Sequence, residues 1–155
     1  MKKLYLICLI SLAIAIGCKS KKPAVAESKF SVFPLTEVNT AQKNKAYEIG
    51  KRVLNTCNTS RFKPFTSSEA TVDVIKNTTK ERLTKTCQKF RIKYGKFEDI
   101  RLVEVLQNKN EGLLVYRYKA DYQWKHTQKE LRVYMNAENK VTSIKSRDWK
   151  DEFQP

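Results

Sequence analysis

Histidine is almost absent from this chain: a single residue, His126, stands among 155. Zinc sites draw three or four ligands from cysteine, histidine and carboxylates. His126 has no second histidine and no cysteine near it, so no metal site and no cofactor are expected. Glycine and proline number four each, too few for a collagen-like or low-complexity chain. A Gly-rich phosphate loop, a His-Glu-x-x-His helix and a Gly-x-Ser-x-Gly elbow are all missing. Their absence removes the usual sequence routes to nucleotide binding, zinc hydrolysis and serine acyl transfer. No uncharged run reaches the ~20 residues that a membrane-spanning helix needs.

What is present begins with Met1-Lys2-Lys3 and 14 uncharged residues, Leu4 to Gly17. A short basic segment before an apolar stretch of this length is the layout of an export leader. Ala15-Ile16-Gly17-Cys18 resembles the bacterial lipobox. The resemblance implies cleavage between Gly17 and Cys18 and transfer of diacylglycerol to the Cys18 sulfur. Each buried acyl CH₂ contributes about 0.8 kcal/mol, so two or three chains hold a protein on a membrane. The chain is thus divided into a signal peptide over 1–17, a lipidated flexible tether over 18–35 and one domain over 36–155. By analogy with lipoprotein sorting, Lys19 after the cysteine and the basic Lys19-Ser20-Lys21-Lys22 run imply the periplasmic face of the outer membrane.

Acidic residues are scarce, 16 against 31 Lys and Arg. Loss of Lys2 and Lys3 with the leader leaves 29 basic residues, a net charge of +13. The partners expected are the membrane, through the lipid, and an anionic envelope component or another protein. Nucleic acid is not expected for an exported chain. The basic residues are scattered instead of forming a tract, so a solvated surface accounts for them equally. Cys57 and Cys87 remain in the domain. In an oxidising compartment they are a disulfide candidate; two buried free thiols are the alternative.

Along the domain, Ala46, Gly50, Val53, Leu54 and Cys57 recur at helical spacing, predicting a helix over 39–57. Thr66-Ser67-Ser68-Glu69 and Thr78-Thr79-Lys80-Glu81 have the capping-box pattern and predict a short helix over 67–76 and a longer one over 79–93. Leu83, Cys87, Phe90 and Tyr94 share a face of the longer helix, and Gly95 follows where a left-handed cap belongs. From Phe97 the period becomes two. Ile100, Leu102 and Leu106 are expected on one side of a first strand, Val103 and Val105 on the other. Leu114, Tyr116, Tyr118, Ala120, Tyr122 and Trp124 line one side of a second strand, with Arg117, Lys119, Asp121 and Gln123 toward water. Leu131, Val133 and Met135 mark a third strand, and Val141, Ile144 and Trp149 a fourth. The fold class is therefore α+β, with N-terminal helices on a four-stranded antiparallel sheet.

The helix-to-strand passage Tyr94-Gly95-Lys96-Phe97-Glu98-Asp99-Ile100 and the hairpin from Leu131 to Val141 resemble the nuclear transport factor 2-like superfamily over roughly residues 40–150. The resemblance is to its small bacterial members of uncharacterised role. It implies a curved, cone-like sheet with a pocket faced by Tyr116, Tyr118, Tyr122 and Trp124. Enzymes of that superfamily place an Asp or His deep in the cone. Here His126 falls at a hairpin end and Asp121 on the polar side, so no catalytic residue is assigned. A lyase or isomerase using the cone is the alternative, as is a protein that binds partners through a basic sheet face of Arg117, Lys119 and Arg132. The tyrosine row is itself open to two readings: a ligand-binding wall, or a core that the helices fill.

Overall fold

The computed structural model describes residues 29–125 and 128–155; Gly17, Cys18 and His126 lie outside the described residues. The elements run β1 (Phe30–Phe33), α1 (Thr40–Thr59), α2 (Val72–Asn77), α3 (Lys80–Tyr94), β2 (Phe97–Asn108), β3 (Leu113–Tyr122), β4 (Lys129–Met135) and β5 (Val141–Asp148). The strands form one antiparallel meander in the order β1-β2-β3-β4-β5. The α+β class stands, with two corrections. Among the described residues there are five strands, not four, and the sheet is neither closed nor strongly curled, so it does not form a cone. The fifth strand comes from the region assigned to the tether. Phe30 pairs with Asn108 and Phe33 with Val105, and the two phenylalanines pack on opposite faces of the sheet. Residues 30–33 are thus part of the sheet.

Helix α1 begins where Asn39 accepts a hydrogen bond from the Gln42 N–H at 3.0 Å, which satisfies one of the free N–H groups of the first turn. Its buried face carries Gln42, Ala46, Ile49, Gly50, Val53 and Leu54. Burying Ile49, Val53 and Leu54 contributes about 1.5–3 kcal/mol each. Gly50 lets the helix backbone approach the sheet closely: a Cβ there would lie 2.8 Å from Leu131 Cδ2 and 3.2 Å from Ile100 Cδ1. At the far end, the Asn58 side chain donates to the Phe97 carbonyl at 2.7 Å and accepts from the Phe97 N–H at 3.0 Å. That two-point clamp ties the end of α1 to the start of β2.

Both capping patterns make hydrogen bonds, the first with Glu69 answering back as expected but without a helix, the second one residue late. The Thr66 N–H donates to Glu69 Oε2 at 2.9 Å, and the Glu69 N–H to the Thr66 carbonyl at 3.0 Å. No helix grows from this turn, because Ala70 bridges Val141 in parallel and the backbone groups of Glu69 and Thr71 are bonded to Val141. The short helix starts only at Val72 and has six residues. At α3 the cap is Thr79, one residue later than Thr78, and it accepts from the Arg82 N–H. Gly95 follows Tyr94 at φ 77°, a region that disfavours any side chain.

The register slips at three places, one of them between Phe97 and Asp99 at the start of β2, and the other two rearrange the strand faces. Between Leu102 and Glu104 the register with β3 slips by one residue, at Val103. Ile100 and Leu102 face the helices, but beyond the bulge Val105 faces them and Leu106 turns to the other side. Simple alternation assigned Val105 and Leu106 the other way round, because an extra residue reverses every later side chain. A further slip opposite Tyr134 and Met135, where Thr142 is the extra residue on β5, lets Val141 and Ile144, three residues apart, share the helix-covered face.

Cys57 and Cys87 are joined by a disulfide, which links the last turn of α1 to the middle of α3. The pair is separated by 30 residues, and closing such a loop stabilises by about 3–4 kcal/mol in the chain-entropy account. Replacing both cysteines by serine should lower the free energy of urea unfolding by about that amount, and dithiothreitol should have the same effect on the unchanged protein. Deletion of Val103 should leave a folded protein, because Leu102 and Glu104 then oppose Tyr118 and Arg117 without a gap. Deletion of Lys119, inside a regular ladder, should abolish the near-ultraviolet circular dichroism of the packed tyrosines.

Candidate functional site

The tyrosines of β3 belong to the core between sheet and helices. Tyr116, Tyr118 and Tyr122 are 0, 1 and 3% exposed. Tyr122 meets the rings of Tyr94, Phe97 and Phe90 at centroid distances of 5.5, 5.7 and 6.1 Å. The Tyr116 hydroxyl donates to Gln42 Oε1 at 2.7 Å. The hydroxyls of Tyr118 and Tyr122 are shielded from solvent and have no hydrogen-bond partner among the described residues. Burial pushes Tyr116 up to about 12 and raises Tyr118 and Tyr122 further, so none of them offers a phenolate near neutral pH. Trp124 lies beyond the end of β3 and is 42% exposed. Three of the four residues assigned to a pocket wall are thus brought together, and Trp124 is not among them.

The face assigned to water is covered. Arg117 and Arg132 are 1 and 2% exposed, contrary to the basic binding face expected from strand alternation. Glu130, 1% exposed, lies between them and accepts from Arg117 Nε at 2.9 Å and from Arg132 Nε. Glu104 adds a second carboxylate at 2.5 Å from Arg117 Nη1. The chain after β5 folds across this network. Arg117 donates to the Lys150 carbonyl, and Arg132 to the Gln154 carbonyl at 2.6 Å. The Trp149 ring stacks 4.2 Å from the Arg117 guanidinium and Phe153 4.2 Å from that of Arg132. Trp149 is therefore not an inward residue of the last strand; it follows Asp148, where β5 ends, and turns to the opposite face. Lys119, less buried, also lies over Trp149.

Several exposed carboxylates on the fold are paired. Asp121, on the polar side of β3 as expected, bonds Arg101 at 2.8 Å, and Asp148 bonds Lys129 at 2.8 Å. Hydrogen bonding to those cations holds both carboxyls below their usual range. A depressed carboxyl contributes stability above its unfolded value and loses it as pH falls through the folded one. The urea midpoint should accordingly stay level from about pH 7 to 5 and fall below about pH 4. Glu130→Gln should destabilise by about 3–5 kcal/mol, the usual cost of leaving a buried charge uncompensated, measured by urea unfolding at pH 7.

A cleft of about 400 Å³ opens between the end of α1 and the outer side of α3. Its α1 wall is Thr56, Cys57, Asn58 and Ser60, and its α3 wall carries Lys80, Thr84, Cys87, Gln88, Arg91 and Ile92. The α3 residues recur at helical spacing, 80, 84, 88 and 91, beside the apolar stripe that turns inward. That polar stripe was visible in the sequence but indistinguishable there from an ordinary solvated face. The cleft is lined by two cations and no carboxylate. On the other side of the disulfide, Val53, Leu54, Leu83, Phe90, Leu131 and Ile144 line a smaller apolar recess of about 170 Å³. Among the described residues no helix is long and apolar enough to cross a membrane. No known protein family, curated protein or solved structure matches this chain.

Proposed function

We propose that this protein is an exported, lipid-anchored, non-catalytic binding module of the bacterial cell envelope. The observation that carries the reading is the Cys57–Cys87 disulfide, because such bonds persist in oxidising compartments outside the cytoplasm. It joins a leader of export type that ends at Gly17-Cys18. A binding role is supported by the state of the acid–base groups: the core tyrosines are pushed away from ionisation by burial, and Glu130, Asp99, Asp121 and Asp148 are held by cations. Catalysis by proton transfer needs a group with a pKa near the working pH and access to substrate. We further assign the anchor to the periplasmic face of the outer membrane, on the basic run after Cys18, and the domain to the nuclear transport factor 2-like type with a flattened sheet.

In its own host, globomycin should leave the uncleaved precursor in the membrane fraction. Mass spectrometry of the untreated protein should find acyl chains on Cys18, and a Cys18→Ser form should lack them. A mature protein with an unmodified Cys18 would refute the anchoring.

A further inference from the structure

We propose that the cleft between α1 and α3 binds a small oxyanion-bearing polyol, such as a sugar phosphate or the glycerophosphate headgroup of a lipid, with Arg91 and Lys80 receiving the anion. The proposal deepens the binding-module reading by naming the site and the class of ligand. Three observations carry it. The volume, about 400 Å³, lies in the range of small-molecule sites. The charge is one-sided: Lys80 and Arg91 line the cleft with no carboxylate beside them, and neither is in an ion pair among the described residues. Arg91 Nη1 is shielded from solvent and has no hydrogen-bond partner among the described residues, and a buried donor left unpaired is costly. Arg91 as a whole is half-buried, and an oxyanion in the cleft meets its accessible part in the charge-assisted geometry that guanidinium groups favour.

The walls are also fixed before any ligand arrives. The disulfide bonds one wall to the other. Asn58 is occupied on both sides by the Phe97 backbone, and the Arg91 carbonyl is held by the Gly95 N–H at 3.1 Å. A preformed site loses less entropy on binding than one that must be ordered. Ser60 and Gln88 supply polar groups for hydroxyls. The disulfide and Ile92, 77% exposed, provide an apolar patch for the carbon face of a polyol.

Isothermal titration of the full chain in a neutral detergent tests this, with glucose 6-phosphate as probe and glucose as the uncharged control. A second arm measures co-sedimentation with phosphatidylcholine vesicles with and without phosphatidylglycerol. Glucose 6-phosphate should bind at least about tenfold more tightly than glucose, the ordinary worth of a charged hydrogen bond. Arg91→Gln and Lys80→Gln should each weaken it by about the same factor, Arg91→Lys should restore part of the loss, and Lys145→Gln, remote from the cleft, should leave it unchanged. Binding only to phosphatidylglycerol vesicles, lost in Arg91→Gln, would support the site and identify the ligand as a headgroup. Binding that Arg91→Gln does not alter, or no binding in either arm, would overturn the proposal. Thermal unfolding of each variant separates loss of the site from loss of the fold. Because the titration reads neither processing nor acylation, its failure leaves the anchoring untouched, and a failed anchoring test leaves the cleft intact.

Discussion

One carboxylate, Glu130, is shared by two guanidinium groups in a part of the molecule that water does not reach. Charges removed from solvent are tolerated only when their remaining hydrogen-bonding groups are also satisfied. One carboxylate cannot do that for Arg117 and Arg132 together. Glu104 and the carbonyls of Lys150 and Gln154 supply further acceptors, which leaves only Arg132 Nη1 of the two guanidinium groups without a partner among the described residues. That requirement explains why the chain does not end its ordered path with β5 but continues across the sheet, where Trp149 and Phe153 cover the arginines. Phe153 also meets Phe30 at 4.9 Å, so the same crossing segment seals the edge strand β1.

The result is a sheet covered on both sides by different means. Helices cover one face through aliphatic and aromatic packing; the crossing segment covers the other through ions, carbonyls and two rings. Every residue of β4 is buried in consequence, which is unusual for an antiparallel strand whose sequence alternates charged and apolar residues. Lys129 joins in by stacking near Phe90 and Tyr94 while bonding Asp148 at the rim.

Much of this was legible from residue pattern. The helix beginning at Asn39, the stripe on α3, the tyrosine alternation of β3 and the turn at 136–140 all follow from local periodicity and capping. The pairing of Cys57 with Cys87 was legible as a candidate, since both fell on inward faces of predicted helices. What escaped depends on contacts distant in sequence. The bulge at Val103 is set by how β2 must meet β3, and nothing in Leu102-Val103-Glu104 announces it. Arg117 and Arg132 read as solvent-facing because alternation says only that they point away from the tyrosines. Phe30, Val32 and Phe33 read as a part of the tether that docks on the domain, not as a strand, because four residues beside Pro34 are too short for a period to show. The cleft escaped for a different reason: Lys80, Thr84, Gln88 and Arg91 have the composition of a wet helix surface, and only the nearby end of α1 makes them a concavity.

The position of β1 has a mechanical consequence. Twelve residue steps separate Cys18 from Phe30, and a fully extended chain covers about 3.5 Å per residue. Under the anchoring proposed above, the domain would be leashed by its first strand and would stand no more than about 40 Å from the lipid surface. Encounters with any partner would then be confined to that thin layer.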